Sequence, residues 1–184
     1  MLKVEKTALE GVLILEPRRF GDSRGWFSET WNDARLREAG LELNFVQDNQ
    51  SYSAPKGVLR GLHFQTRPKA QDKLVRVLRG AILDVAVDLR KDSPTFGQHV
   101  AVELTAENGR QLLVPIGFAH GFVTLVPDTE VFYKVTAPYS PENDKGLAFN
   151  DPVLGIDWGI PEAELTLSEK DTKHPLLADM PTYF

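Results

Sequence analysis

The sequence contains no cysteine, which excludes disulfides and thiolate metal ligands and fits a reducing compartment, so we expect a cytoplasmic protein. Long apolar runs are scarce near the N-terminus: VLIL at 12–15 is too short for a signal peptide or a membrane span. Basic residues are not in excess either, because 26 acidic residues face 21 lysines and arginines and the net charge is −5. No global positive field therefore favours nucleic acid, and an anionic ligand must be held by a few local cations.

Long helical patterns are also scarce, whereas period-two alternation of apolar and polar residues recurs along most of the chain. This alternation predicts ten short strands, within residues 9–17, 25–31, 44–52, 57–65, 73–80, 81–89, 96–104, 111–117, 119–126 and 129–137. One short helix is predicted over 32–40, with Asn32 or Asp33 as its N-cap and Gly40 at its end. A further helical turn or two is expected near 162–171.

About ten short strands at this spacing predict an all-β antiparallel sandwich or barrel with a few short helices, and we expect a jelly roll. No linker, internal repeat or low-complexity tract divides the sequence, so we predict one domain over residues 1–184. The proline-rich tail at 174–184 is expected to lie over the surface of that domain.

Three polar side chains fall at strand positions where a core normally has apolar residues. Tyr133 and Lys73 each share a strand face with two valines, and His120 lies close to two glycines. Each also has an ordinary structural explanation. The tyrosine can bury its ring and bond its hydroxyl to the backbone, the lysine can extend outward from a strand edge, and the histidine can be a satisfied core residue. The strand pattern alone leaves these alternatives open.

Two segments resemble the metal-site motifs of the cupin superfamily, namely G-x5-H at Gly57–His63 and P-x-G-x2-H at Pro115–His120. Where the metal-binding pattern has its second histidine, this chain has Gln65, and where it has a glutamate, this chain has Lys73. A lysine in place of a carboxylate puts positive charge where a divalent cation would sit. The sequence therefore predicts a cupin-like pocket without a metal ion.

A wider resemblance runs in order from about residue 20 to 171. It rests on the segments GDSRGWFSE, FVQDNQS, VLRGLHFQ, DKLVRVLRGAILDVAVDLRKDSPTFG, VPIGFAHGF, FYKVTAPYSPE, NDPVLGIDW and LSEKD. Together they resemble the dTDP-4-dehydrorhamnose 3,5-epimerases of the dTDP-L-rhamnose pathway. The resemblance implies a cupin jelly roll, catalysis without a cofactor, a dTDP-sugar substrate, and a homodimer in which the partner chain completes each site. We expect neither a nucleic-acid nor a membrane partner.

The resemblance also implies roles for individual residues. His63 is the expected general base, and Asp171 is expected to hold its imidazole. Tyr133 is the expected general acid on the opposite face of the sugar, and Lys73 the cation that faces the developing enolate oxygen. The sugar, diphosphate or thymidine is expected to be bound by Arg24, Phe27, Glu29, Gln47, Asn49, Arg60, Lys73, His120, Tyr139, Asp144 and Lys170. Asp144 stands where relatives commonly have glutamate.

The implied reaction inverts C3 and C5 of dTDP-4-dehydro-6-deoxy-D-glucose. A ketone at C4 acidifies the C–H bonds at both carbons, and a base and an acid on opposing walls suit such an inversion. An epimerase that inverts only C3 or only C5 is the alternative, and a binding domain without chemistry is a second one.

Strand geometry adds one structural expectation. Arg60 and His63 are three residues apart, so in a regular strand they point to opposite faces. Both reach one pocket only if the strand bends or bulges, and Gly61 is the predicted place.

Overall fold

The computed structural model describes residues 2–184 as two antiparallel sheets that pack face to face, with a small hairpin beside them. The strands are β1 (Lys3–Lys6), β2 (Leu13–Glu16), β3 (Arg19–Asp22), β4 (Gly25–Ser28), β5 (Gln47–Ser53), β6 (Leu59–Gln65), β7 (Lys73–Arg79), β8 (Ala81–Asp88), β9 (His99–Thr105), β10 (Gln111–Val114), β11 (Phe118–Thr124), β12 (Thr129–Val135) and β13 (Asp144–Gly146). The helix α1 spans Asp33–Glu38, and short 3₁₀ turns lie at Glu162–Glu164, Asp171–Lys173 and Leu177–Asp179.

The six-stranded sheet has the order β1-β2-β10-β7-β12-β5, and the five-stranded sheet has the order β13-β6-β11-β8-β9. Along the chain, β6, β8 and β11 lie in the five-stranded sheet, while β7, β10 and β12 lie in the six-stranded one. The polypeptide thus crosses repeatedly between the sheets, as in a jelly roll. The predicted all-β sandwich is confirmed.

Three short strands were not predicted, and several predicted strands are shorter than expected, β2 and β10 among them. β1 is exposed along its length, β3 is largely exposed and β13 has three residues, so none carries the alternation that marks a half-buried strand. Their partners, rather than their own patterns, determine that they are strands. The segment predicted at 25–31 leaves the sheet after Ser28, and the one predicted at 44–52 enters it only at Gln47.

The helix begins and ends as predicted. The Asn32 side chain accepts a hydrogen bond from the Arg35 backbone N–H at 3.2 Å, and Leu36 is the buried residue of the helix. Gly40 follows in the left-handed region at φ +79°. Near 162–171 the expected helical turns are two separate 3₁₀ turns.

Three apolar clusters hold the sandwich together, and the smallest packs Leu36 of α1 against Leu74 of the six-stranded sheet. The inner cluster lies between the sheets and includes Val75, Phe118 and Val131. The remaining cluster covers the outer face of the five-stranded sheet with the C-terminal segment, where the Tyr183 and Phe184 rings lie 5.4 and 6.0 Å from the Phe64 ring. The tail therefore lies over the surface, as expected. No helix among the described residues is long and apolar enough to cross a membrane.

β6 bulges where the sequence predicted it. His63 pairs with His120, and Arg60 pairs with Phe122. Two residues of β6 lie between these pairs but only one residue of β11, which defines the bulge. Gly61 occupies this bulge at φ +120°, and a Cβ there would lie 2.7 Å from the Gly121 Cα. Only glycine fits this close approach of the two strands.

Candidate active site

A cavity of about 380 Å³ opens between the two sheets at one end of the sandwich. It is lined by Gln47, Asn49, His63, Phe64, Gln65, Gln71, Lys73, Tyr133, Tyr139, Asp144 and Lys170. Eight of these were predicted as site residues. The other three are Phe64, Gln65 and Gln71, and Gln71 lies in the loop just before β7, where no strand alternation could have indicated it.

Strand register brings the residues of one wall together. In the six-stranded sheet Tyr133 pairs with Asn49 on one side and with Val75 on the other. Lys73 lies two residues before Val75, so it points to the same inner face. Tyr133 is half-buried beside valines, which confirms its predicted inward orientation.

His63 stands on the opposite wall, in the five-stranded sheet. Its Nε2 lies 2.6 Å from the Oδ1 of Asp171, whose backbone N–H donates to the Ser168 hydroxyl. Because a carboxylate accepts this hydrogen bond, the neutral form of the imidazole has its proton on Nε2 and its lone pair on Nδ1. Burial raises the pKa of Asp171, but the hydrogen bond and charge of His63 outweigh it and hold that pKa below its ordinary value.

Lys73 is the first residue of β7, yet it is buried, with 9% of its surface exposed, so its side chain does not extend outward into solvent. Its ammonium donates to the backbone carbonyl oxygen of His63 at 3.2 Å. Burial lowers the pKa of Lys73 to about 8, while the carboxylates of Asp144 and Asp84 act to raise it. No carboxylate of the described residues lies within ion-pair distance of its ammonium, which leaves donors for another oxygen.

Tyr133 is suited to hold a proton at neutral pH. Burial raises the pKa of its hydroxyl above the ordinary value, and the nearby Arg60 guanidinium opposes that shift only in part. Arg60 is also held by the Tyr52 carbonyl and the Ser53 hydroxyl, at 3.2 and 3.4 Å. The bulge of β6 therefore leaves Arg60 close to Tyr133 while His63 lines the cavity.

The rim carries both charge and an aromatic face. Tyr139 is exposed, and its backbone N–H donates to the Gln47 side chain at 3.0 Å. Lys170 forms an ion pair with Asp144, and this hydrogen bond raises the pKa of the lysine. A cation and a flat ring at the mouth of a pocket suit a phosphate and a base.

Five of the predicted binding residues lie outside the cavity lining, namely Arg60, described above, and four others. His120 is buried, with its Nε2 2.7 Å from the Oδ1 of the fully buried Asp84. Arg24 and Phe27 belong to the β3–β4 hairpin and are exposed. The Arg24 side chain is 87% exposed, and Phe27 as a whole residue is 67% exposed. Glu29 is exposed just beyond that hairpin and accepts from the Asn32 amide at 3.0 Å. Their roles stay predictions.

Gln65 occupies the cupin position of a metal-ligating histidine and is committed to other contacts. Its amide donates to the backbone carbonyls of Lys69 and Pro138 at 2.6 and 3.2 Å, and its oxygen accepts from the Ser140 N–H at 2.8 Å. These bonds fasten the loops around the pocket. Together with the cation of Lys73, they give this position the chemistry of a scaffold rather than of a ligand set.

A base on one wall, a neutral phenol on the other and a buried ammonium form a site for proton transfer beside a carbonyl group. Comparison with known proteins agrees with this class. The family model for dTDP-4-dehydrorhamnose 3,5-epimerase matches residues 6–179. A protein of that description from Sinorhizobium fredii is 51% identical over 181 residues, which are 98% of this chain and 92% of that protein.

Solved structures give the same result. The dTDP-4-dehydrorhamnose 3,5-epimerase of Bacillus anthracis, with TDP and PPi bound, is 54% identical with a TM-score of 0.93, and the match covers 96% of this chain and 99% of that one. The Legionella pneumophila dTDP-6-deoxy-D-glucose-3,5-epimerase, in complex with dTDP-4-keto-L-rhamnose, is 45% identical with a TM-score of 0.94. That match covers 98% of this chain and 95% of the Legionella chain. The chain belongs to the dTDP-4-dehydrorhamnose 3,5-epimerase family.

Proposed function

We propose that this chain inverts C3 and C5 of dTDP-4-dehydro-6-deoxy-D-glucose to give dTDP-4-dehydro-L-rhamnose, without metal or cofactor. The observation that carries the proposal is the placement of His63 and Tyr133 on opposite walls of one cavity, with the Lys73 ammonium buried between two sheets beside them. Inversion needs removal of a proton from one face of the sugar and its return from the other, which these two walls provide.

The proposed chemistry begins at His63. Its Nδ1 lone pair takes the proton from the carbon next to the C4 ketone, and the C–H electron pair moves onto the ketone oxygen as an enolate. Asp171 stabilises the imidazolium that results. The Lys73 ammonium stabilises the enolate oxygen, an effect worth on the order of 2.7–4 kcal/mol for one such donor.

Tyr133 then completes the inversion. Its neutral phenol donates a proton to the opposite face of the carbon as the enolate electrons return. The tyrosinate then regains a proton from solvent, and the His63 imidazolium releases its extra proton to solvent, which restores both groups. The same cycle serves C3 and C5 because the C4 ketone lies between them. A positioned acid or base contributes about 10²–10⁴-fold.

The diphosphate and thymidine are proposed to lie at the rim. Lys170 and Arg60 supply positive charge for the diphosphate, and Tyr139 supplies a face for the thymine ring. Gln47 and Asn49 offer hydrogen bonds to the sugar. His120, held by Asp84, is proposed to support the pocket floor near the ligand.

A homodimer is proposed to complete each site. Arg24, Phe27 and Glu29 lie outside the cavity of their own chain, on an exposed segment that also presents the Trp26 ring. Insertion of this hairpin into the site of a second chain would bury its aromatic rings and bring Arg24 to an anionic ligand. We also propose a cytoplasmic location, for which the absence of cysteine is the support.

Incubation with the 4-keto-6-deoxy sugar nucleotide in D₂O, followed by NMR, tests the proposal. We expect deuterium at both C3 and C5 with the native chain and at neither carbon with His63→Ala. Deuterium at one carbon only identifies a single-site epimerase. Substrate binding without any exchange contradicts an enzymatic role and favours a binding domain.

A further inference from the structure

A second histidine lies against the proposed catalytic pair. The ligand atoms of His63, Asp171 and His174 all lie within 4.8 Å of one another. The Nε2 of His174 is 3.3 Å from the same Oδ1 of Asp171 that contacts His63 at 2.6 Å. The imidazole rings of the two histidines are perpendicular, with centroids 5.4 Å apart. The proposed epimerisation makes no use of His174.

The Nε2 of His174 is a buried nitrogen without a hydrogen-bond partner among the described residues. Its side chain is 9% exposed, so solvent does not satisfy it. Native structures leave few buried polar atoms unpartnered, and those that remain often mark a functional group or an ion. This nitrogen lies 3.3 Å from the Asp171 carboxylate without a hydrogen bond to it and is therefore a candidate ligand atom.

The backbone around His174 holds its ring in place. The ring lies directly over Gly146, where a Cβ would come within 2.2 Å of it. The carbonyl of the following Pro175 accepts from the Ala148 N–H at 2.9 Å, and the Leu177 N–H donates to the Asp151 carboxylate at 2.7 Å. The nitrogen is thus fixed by packing rather than free to turn away.

We propose that His63, Asp171 and His174 form a binding site for a divalent transition-metal ion, with Zn²⁺ as the representative ion, and that the bound ion inhibits the epimerase. Two imidazole nitrogens and one carboxylate oxygen are a common zinc ligand set, with metal–ligand distances of about 2.0–2.2 Å. Tetrahedral geometry at those distances separates neighbouring ligand atoms by roughly 3.4 Å. The contact of His174 with Asp171 already matches this, and that of His63 must open by less than about 1 Å.

Charge and access also fit such an ion. Asp171 supplies one negative charge, and the neighbouring Lys170 is paired with Asp144. The His63 side chain is 31% exposed and lines the cavity, so an ion, with a water as its fourth ligand, can enter from that side. The site shares His63 with the cupin metal position but uses neither Gln65 nor Lys73, so its other two ligands are different.

Inhibition follows from the tautomer of His63 and rests on the proposed function. In the resting pair the Nε2 proton faces Asp171, and the Nδ1 lone pair is the base. A metal on Nε2 takes the place of that proton, so a neutral ring carries its single proton on Nδ1. The ring then has no lone pair to accept the proton of the substrate, although no net proton is gained or lost.

Zinc binding to metal-free protein, measured by calorimetry, tests the site without reference to activity. We expect one Zn²⁺ per native chain, and at least about tenfold weaker binding in His174→Gln. His99→Gln, which removes a histidine from β9 away from the site, is the matched control and should bind zinc as the native chain does. Circular dichroism of each variant verifies its fold, and His174→Asn repeats the test. Equal zinc affinity in the native chain and in both folded His174 variants would overturn the proposal.

The exchange reaction in D₂O tests inhibition, with each variant compared with its own metal-free rate. Native exchange should fall as zinc is added and recover with a chelator, and His174→Gln should need at least about tenfold more zinc. Tight zinc binding with unimpaired exchange overturns the inhibitory role. A chain that binds zinc as expected but never exchanges deuterium contradicts the proposed epimerase instead, so the two failures are distinguishable.

Discussion

The ammonium nitrogen of Lys73 donates to the backbone carbonyl oxygen of His63 across the interior of the sandwich, at 3.2 Å. Lys73 belongs to the six-stranded sheet and His63 to the five-stranded one, so this bond joins the two walls of the cavity. The proposed enolate-stabilising cation is therefore positioned by the strand that carries the proposed base. Its burial has consequences for both activity and stability.

Activity should decline as the pH rises through about 8, because burial lowers the pKa of Lys73 to about 8 and only the protonated amine stabilises an enolate. Ionisation of the Tyr133 hydroxyl does not explain a loss of activity near pH 8, because burial raises the pKa of that hydroxyl above its ordinary value. Rates of deuterium exchange between pH 6 and 10, together with an NMR titration of the lysine, would check the assignment. A lysine titrating at its ordinary pKa would contradict it.

Stability should respond to pH in the opposite direction. Below pH 8 Lys73 is charged in both the folded and the unfolded chain, and burial of the charge is fully destabilising. Between about pH 8 and 10.5 the folded chain has lost the proton that the unfolded chain still binds. Stability attributable to Lys73 therefore rises with pH in that window. A shift from 10.5 to about 8 corresponds to about 3 kcal/mol.

Lys73→Met provides the matched measurement of this linkage. Below pH 8 the variant should be more stable than the native chain, by up to about 3 kcal/mol, and the difference should vanish above the ordinary lysine pKa. Lys56→Met, at an exposed lysine, is the control and should show no such pH dependence. Urea unfolding of all three proteins across the pH range gives the comparison. If Lys73→Met is less stable than the native chain at pH 7, burial of the charged amine does not lower the free energy of unfolding, and the prediction is wrong.

Gly61→Ala should both destabilise the chain and slow exchange. A Cβ at Gly61 would lie 2.7 Å from the backbone of β11, in a residue with φ +120°. We expect a loss of at least about 2 kcal/mol, because strain of about 1–3 kcal/mol is added to the steric clash. Gly155→Ala, also at positive φ but with open space around it, should cost about 1 kcal/mol and leave exchange intact. Similar unfolding free energies for the two variants would argue against a tight bulge.

Mixing two defective variants tests the proposed dimer. If the hairpin of one chain completes the site of the other, a mixed dimer of Arg24→Ala and His63→Ala contains one site with both native residues. Random re-association should then restore about a quarter of the native activity. The Arg24→Ala preparation alone, and each variant mixed with itself, are the controls. Activity no greater than the sum of the separate variants would place Arg24 in its own chain's site or outside it.

Much of this architecture follows from local sequence. Gln47 and Asn49 are two residues apart, as are Lys73 and Val75. Side chains at this spacing share one face of a strand whatever the context, so their placement follows from the sequence. The cap of α1 is equally local, since Asn32 bonds a backbone N–H three residues away. The bulge at Gly61 followed from the odd spacing of two residues expected in one pocket.

Other features depend on contacts between distant segments, which no local pattern encodes. The short β13 is a strand only because Gly146 pairs with His63, and that glycine leaves the space that His174 occupies. Asp171 reaches His63 across 108 residues of sequence, and His120 is held by Asp84 from a neighbouring strand. Which side chains share a strand face can be read from the residue order, because backbone geometry sets that period. Tertiary structure alone decided which faces meet, how deeply Lys73 is buried and which carboxylate each histidine contacts, because long-range packing sets those distances.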